Sequence, residues 1–189
     1  MDFLATDEAA SIHRVISRAV LAVLAGLLAC PPALPHSAPE GRVKAAFIYN
    51  FLKFVEWPPD SMPPSAPILL CTLGEAPLGG ALEEILKDRT VGERKLVIRH
   101  LAHAEAARTC HVLFVDQSET PRLNAIFAVL ADASVLTIGE SPSFLKAGGC
   151  IDLIIDRDRV RFSIALPAAR SSRLTISSRL LALALEVQR

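Results

Sequence analysis

The sequence has no excess of charge of either sign, since 20 Lys and Arg residues balance 20 Asp and Glu residues. It also lacks a run of Lys and Arg that would supply a local basic surface for nucleic acid. We therefore expect no nucleic-acid partner. The length of 189 residues corresponds to roughly one domain that is large enough to bury a core.

Motifs for metal binding, phosphate binding and nucleophilic catalysis are also missing. No Cys-x-x-Cys motif or close His pair completes a metal site beside His111. The stretch LGEAPLGG matches neither dinucleotide-binding nor P-loop spacing, and no G-x-S-x-G motif supplies a nucleophile. Ser177 and Ser178 are expected to lie at the start of a helix, as caps or interhelical contacts. We expect a protein that is not an enzyme and that uses no cofactor and no metal.

The apolar run near the amino terminus is too short for a bilayer-spanning helix. It covers residues 19–30, about a dozen residues, whereas a spanning helix needs roughly 20. Arg14 and Arg18 precede the run and a Pro-rich polar stretch follows it, which is typical of a secretory signal peptide. We therefore expect residues 1–38 to be a signal peptide and leader, and the rest of the chain to be exported.

Two cleavage sites fit this signal. The letters HSA, ending at Ala38, suit ordinary signal peptidase, whereas LLAC, ending at Cys30, resembles a bacterial lipoprotein signal. In the second case Cys30 carries lipid and tethers the domain to a membrane surface. In the first case Cys30 is discarded with the signal.

Cysteine is scarce, and export changes how the few cysteines are interpreted. The sequence has four, of which Cys71, Cys110 and Cys150 follow the signal region. Thiols that can reach one another tend to oxidise outside the cytoplasm. Cys71 ends one strand-like run and Cys110 begins another, so their pairing is favoured and Cys150 is left unpaired. The bridge would close a loop of about 40 residues and stabilise the domain by about 4 kcal/mol.

Aromatic residues are also few, and half of them lie in one stretch. Residues 44–60, KAAFIYNFLKFVEWPPD, contain three Phe, the sole Tyr and the sole Trp of the chain. Helical spacing from about residue 41 to 57 places the three phenylalanines on one face, where they are expected to join the core. Tyr49 and Trp57 lie off that face and are candidate contacts for a partner or ligand, although Trp57 also suits closure of the helix end.

Strand-like and helix-like patterns alternate along the rest of the chain. APILLCTL, RKLVIRHL, CHVLFVD and SVLTIG read as strands, and helical patterns separate most of them. This order predicts an α/β fold with a mainly parallel sheet flanked by helices. CIDLIIDRDRVRFSIAL predicts a β-hairpin that turns at residues 156–158, and a C-terminal helix is expected after it.

Several of these stretches resemble the YfiR-like family, of the YfiR/HmsC type, in the order in which they occur. They are VKAAFIYNFLKFVEWP, ILLCTLGEAPLGGAL, CHVLFV, VLTIGE, GGCIDLIIDRDRVRFSIAL and LTISSRLLALA. The resemblance implies a periplasmic α/β domain over residues 41–189 that represses a membrane-bound diguanylate cyclase by protein–protein contact, and so restrains cyclic di-GMP and biofilm formation. It also implies that Cys71 and Cys110 form the family's disulfide, that redox state modulates repression, and that the protein is a homodimer.

The chain departs from this family at two positions. Some members have a second cysteine pair where this sequence has only Cys150, and Ala165 stands where Asn is common. The alternative function is a periplasmic small-molecule sensor that feeds another membrane protein, with a pocket lined by Arg161, Arg179 or the aromatics. In either case membrane contact is expected only through the partner or a lipid anchor at Cys30.

Overall fold

A mainly parallel β-sheet forms the centre of the computed structural model, which describes residues 37–63, 65–75 and 78–189. The strands are β1 (Val55–Glu56), β2 (Ile68–Leu73), β3 (Thr90–Val91), β4 (Arg94–Leu101), β5 (Val112–Val115), β6 (Leu136–Gly139), β7 (Ile151–Asp156), β8 (Arg159–Ala165), β9 (Thr175–Ile176) and β10 (Glu186–Gln188). Eight of them form one sheet in the order β10-β8-β7-β6-β5-β2-β4-β3. The five strands from β7 to β4 in that order are parallel.

Helices cover both faces of this sheet. They are α1 (Ser37–Phe51), α2 (Gly79–Leu86), α3 (Leu123–Val129), α4 (Phe144–Ala147), α5 (Leu166–Ser171) and α6 (Ser178–Leu181), with 3-10 turns at Ala104–Thr109 and Gln117–Arg122. The predicted α/β class is therefore confirmed. Strands β2, β5 and β6 are almost uninterrupted apolar runs because parallel strands between two helical layers are buried on both faces.

Two hydrophobic clusters lie on opposite faces of the sheet. The larger one packs α1 and α2 against alternate residues of the strands, such as Leu70, Phe114 and Ile138. The smaller one packs α3 and α4 against the intervening residues, such as Leu113 and Val115. This division follows from the two-residue period of a strand, which sends successive side chains to opposite faces.

The predicted hairpin is present and ends the parallel part of the sheet. Strand β8 pairs antiparallel with β7, from Ile151 opposite Ile164 to Asp156 opposite Arg159. The two turn residues, Arg157 and Asp158, have φ angles of 49° and 59°. Positive φ at both central residues matches the right-handed twist of the flanking strands in a two-residue hairpin.

The first helix is shorter at its carboxyl end than the sequence pattern predicts. It ends at Phe51, and Val55–Glu56 instead form a strand that pairs antiparallel with Thr175–Ile176. The apolar spacing near Val55 fits a helix, but pairing with Ile176, 121 residues later in the chain, determines the backbone there. Long-range pairing of this kind leaves no signal in local periodicity.

The carboxyl terminus also differs in detail from its predicted helix. Helix α6 spans only four residues, Ser178–Leu181, and Ser177 caps it by accepting a hydrogen bond from the Arg179 backbone nitrogen at 3.3 Å. Beyond it, Glu186–Gln188 form β10, which pairs parallel with β8 at the edge of the sheet. Leu180 is buried in this short helix and Val187 lies in the edge strand, whereas Leu183 and Leu185 lie between the two elements and are exposed.

The predicted signal peptide and Cys30 lie outside the described residues. Among the helices of the described segments, none has both the length and the apolar character that crossing a bilayer requires.

Candidate functional site

An apolar groove of about 430 Å³ lies beside α1, between this helix and the C-terminal segment. Its only polar lining residues are Arg42 and Asn50, and Phe162 on β8 contributes to its wall. The remaining lining residues are apolar: Val43, Ala46, Phe47, Phe51, Phe54, Leu180 and Leu183. The groove is thus built largely from the aromatic stretch that the sequence marks as unusual.

Three of these aromatic rings pack against one another at the groove. The Phe51 and Phe162 ring centroids are 4.8 Å apart in an edge-to-face arrangement, and Phe47 lies 5.9 Å from Phe162. Phe51 is buried, whereas Phe47 and Phe54 are half-buried. The expected core role therefore holds fully for Phe51, while Phe47 and Phe54 also present part of their rings to the groove.

The groove leaves large apolar side chains exposed at its rim. Val43 is 44% exposed and Leu183 is 65% exposed, and nearby Leu185 is 48% exposed. Exposed apolar side chains that gather at one groove, as Val43 and Leu183 do, are typical of a binding site for another molecule. The groove is therefore the best candidate in the described residues for a partner contact.

Tyr49 contacts a neighbouring strand instead of the groove. Its hydroxyl donates a hydrogen bond to the Thr90 carbonyl oxygen at 3.0 Å. The ammonium of Lys53 lies 4.0 Å from the centre of its ring, and the Arg89 guanidinium lies 5.1 Å from it. These contacts connect α1 to β3, and they account for Tyr49 without a contact to a partner protein or ligand.

Trp57 is half-buried beyond the end of α1 and packs against the larger core cluster. Its indole nitrogen donates a hydrogen bond to the carbonyl oxygen of His111 at 3.0 Å. This contact supports the interpretation in which Trp57 closes the end of the first segment.

A disulfide joins Cys71 on β2 to Cys110, which lies just before the neighbouring strand β5. The two Cα atoms are 6.0 Å apart and both side chains are buried. Cys150 is buried and has no disulfide partner among the described residues, and burial raises the pKa of its thiol. A buried thiol with a raised pKa is a poor nucleophile, so Cys150 is not suited to redox chemistry in the folded protein.

The two arginines predicted to line a pocket are exposed and lie outside the groove. Arg161 is on β8 and Arg179 is on α6. Neither arginine lines the groove or the larger polar cleft, whereas the aromatic residues, the other expected lining of a small-molecule pocket, do line the groove.

A polar cleft of about 620 Å³ lies at the carboxyl end of β6. Lys44 on α1 forms ion pairs there with Glu140, which follows β6, and with Glu40 at 2.5 Å. Burial alone lowers the pKa of Lys44, but hydrogen bonds and charge interactions with both glutamates outweigh it and the pKa is raised. Burial raises the pKa of Glu140, and Lys44 opposes that shift.

Asp152 on β7 also lines this cleft. Burial and the nearby charge of Glu140 raise its pKa to about 7, against a partial opposing effect of a backbone hydrogen bond from Ser141. No motif in the sequence singles out Asp152, Glu140 or Lys44 as site residues. The available signal was a single acidic residue within the otherwise apolar strand CIDLII, which is costly to bury without a partner.

Metal ligands are not clustered in the described segments, because no three His, Cys, Asp or Glu side chains there lie close enough to hold an ion.

The YfiR/HmsC-like family matches residues 41–185 of the chain. A conserved domain protein from Vibrio cholerae O1 biovar El Tor is similar in structure, with a TM-score of 0.54 and 14% identity over 78% of this chain and 60% of that chain. At this identity the similarity shows the fold alone. The chain spans less than two thirds of that protein's length.

A domain from Streptococcus pneumoniae, solved in complex with L-Trp and titled an ABC domain, aligns with a TM-score of 0.49. Its identity is 9%, and the alignment covers 68% of this chain and 57% of that chain. Among curated proteins, none matches the chain.

Proposed function

Because the chain belongs to the YfiR/HmsC-like family, known as periplasmic regulators of diguanylate cyclases, we propose that it represses a membrane-bound diguanylate cyclase. Such repression restrains cyclic di-GMP synthesis and biofilm formation. The observation that carries this proposal is the family match over residues 41–185. In this account residues 1–38 direct export, and the domain at 41–189 acts in the periplasm, free or anchored through Cys30.

The apolar groove beside α1 is the proposed contact surface. It exposes Val43 and Leu183 while its floor is an ordered set of packed aromatic rings, which is the anatomy of an interface core. The proposed occupant is the periplasmic segment of the cyclase, since the family acts on membrane cyclases. A homodimer through the same groove would compete with this contact.

Capture of cyclase activity tests the proposal with two matched variants. Val43 in the groove and Val97 on β4 are 44% and 43% exposed, so Val43→Asp and Val97→Asp place the same charge at similarly exposed valines. The immobilised wild-type chain and Val97→Asp are expected to bind the cyclase, and so to deplete cyclic di-GMP synthesis from the unbound fraction of detergent-solubilised membranes of the native host. Val43→Asp is expected to deplete much less, because a charge in an apolar interface is desolvated without a partner.

Equal depletion by both variants would contradict the groove as the contact surface. Undiminished synthesis in the fraction that the wild-type chain leaves unbound would contradict cyclase binding itself. If the groove instead holds a second copy, Val43→Asp will convert a dimer to a monomer in sedimentation without changing the depletion of cyclase activity.

Redox modulation through the Cys71–Cys110 disulfide is the proposed regulatory step. The bridge joins two central strands of the sheet, so its reduction is expected to loosen the fold that presents the groove. The second candidate function is small-molecule sensing. The presence of the polar cleft favours it, and Arg161 and Arg179 do not line that cleft.

A further inference from the structure

A row of polar side chains crosses three neighbouring strands at the polar cleft. Asp152 on β7 pairs in register with Ser163 on β8, and Ser163 pairs in register with Glu186 on β10. All three residues line the cleft, together with Ser141. The sheet register therefore places hydrogen-bonding groups side by side on one wall of a cavity.

Two of the lining polar atoms are buried and have no hydrogen-bond partner among the described residues. They are Oδ1 of Asp152 and Oγ of Ser141, in residues that are 7% and 2% exposed. Burying a carboxylate oxygen or a hydroxyl without a partner costs free energy, and a buried group that persists unpaired commonly marks a functional site. These two oxygens are available to a ligand that donates hydrogen bonds.

The charge of the cleft favours a cationic ligand. Four carboxylates line it, on Glu40, Glu140, Asp152 and Glu186, against two ammonium groups, on Lys44 and Lys146. The ammonium of Lys44 is already bonded to Glu40 and Glu140. Neither Asp152 nor Glu186 forms an ion pair within the described residues.

Apolar side chains complete the lining. Leu145 is half-buried, and Ile155 is 47% exposed for an isoleucine within a strand. The volume of about 620 Å³ lies within the range typical of small-molecule sites. A ligand that fits this lining has a polar cationic end and an apolar body.

We propose that the cleft binds a small organic amine, whose ammonium group donates hydrogen bonds to Asp152 and Ser141 while its apolar body packs against Leu145 and Ile155. A metal ion is a poorer match, because the described residues place no three metal-ligating side chains together there. This site lies apart from the groove, and amine binding to the purified protein does not depend on the repressor proposal.

The protonation of Asp152 gives the site a testable pH dependence. With a pKa of about 7 in the free protein, Asp152 is mostly neutral in acid and mostly ionised in base. An ammonium ligand interacts more strongly with the ionised form. Affinity is therefore expected to increase as the pH rises through about 7, until the amine itself loses its proton.

Calorimetric titration of the purified chain with 2-phenylethylamine tests the proposal, with 2-phenylethanol and phenylacetate as neutral and anionic controls. The amine is expected to bind, and to bind at least about tenfold more tightly than either control. Asp152→Asn is expected to weaken amine binding about tenfold or more and to remove its pH dependence. The matched control Asp158→Asn changes an exposed carboxyl of the hairpin turn and is expected to bind as the wild type does.

Ser141→Ala and Glu186→Gln keep the proposal testable should Asp152→Asn fail to fold, since each is expected to weaken amine binding severalfold. Equal affinity for the amine and 2-phenylethanol would overturn the proposal. So would an amine affinity that stays unchanged in every folded variant of the cleft.

Discussion

The indole nitrogen of Trp57 donates a hydrogen bond to the backbone carbonyl oxygen of His111 at 3.0 Å. His111 is also bonded to β2, because its Nδ1 accepts a hydrogen bond from the Leu69 backbone nitrogen at 2.9 Å. The His111 backbone nitrogen in turn donates to the Leu69 carbonyl oxygen at 2.9 Å. These contacts connect the aromatic segment to the amino-terminal ends of β2 and β5, one residue from the disulfide at Cys110.

Replacing Trp57 by Phe is expected to reduce the free energy of unfolding by about 1 kcal/mol, the net contribution of one such hydrogen bond. The change keeps an aromatic ring but removes the donor to His111. Urea unfolding measures the difference. A variant of unchanged stability that nevertheless represses poorly would instead assign Trp57 to the partner contact.

His111 is expected to make stability depend on pH in mild acid. Burial, together with the charge of Arg94, lowers the pKa of His111 below its ordinary value of 6.5. The unfolded chain therefore takes up the proton more readily, and the stability contributed by His111 is lost as the pH falls from about 6.5 through the lowered pKa. Once protonated, Nδ1 would no longer be able to accept the hydrogen bond from the Leu69 backbone nitrogen.

His111→Asn supplies the control, since the Asn side-chain oxygen is able to accept that hydrogen bond without titrating. As the pH decreases below about 6.5, the wild type should lose more unfolding free energy than His111→Asn does. A difference that is constant across this range would contradict the expected pKa shift.

Loss of the disulfide is expected to destabilise the domain by about 4 kcal/mol, because the bridge closes a loop between residues 39 positions apart. Cys71→Ala and Cys110→Ala should therefore unfold at much lower urea concentration than Cys150→Ala, which leaves the Cys71–Cys110 bridge intact. Reductant should lower the stability of the wild type and of Cys150→Ala only. Equal unfolding midpoints for the three variants would contradict a stabilising role for this bridge.

Removing one member of the Lys44–Glu140 pair is expected to reduce the free energy of unfolding by about 3 kcal/mol, because the other charge is left buried without its partner. The two side chains are 11% and 8% exposed. Arg42→Met on the same helix is the control for Lys44→Met, since Arg42 pairs with Glu84 at 3.0 Å on the surface. Exposed pairs contribute about 1 kcal/mol or less. Similar losses of unfolding free energy in Lys44→Met and Arg42→Met would contradict this expectation and show that water reaches the Lys44–Glu140 pair.

Local patterns predicted the parts of the fold that local chemistry determines. Apolar runs such as PILLC and CHVLFV became buried parallel strands, and the two apolar runs around Arg157 and Asp158 became a hairpin. The patterns did not predict the pairing of Val55 with Ile176, or the edge strand at Glu186–Gln188. Both depend on partners that are distant or late in the chain, and neither changes the local period of apolar residues.

The candidate sites show the same division. The aromatic stretch was visible in the sequence, and its residues line the groove. The polar cleft was not visible, because Lys44, Glu140 and Asp152 lie in three separate elements and only the folded register brings them together. Exposed Arg161 and Arg179 were proposed from residue type alone, which does not indicate where a cavity forms.

The level of cyclic di-GMP in a strain of the native host that lacks this gene tests repression most directly. Repression through the groove predicts a level above that of the parent strain, returned to the parent level by the wild-type gene and by Val97→Asp, but not by Val43→Asp. An unchanged level in the deletion strain, under conditions in which the parent makes the protein, would contradict the account.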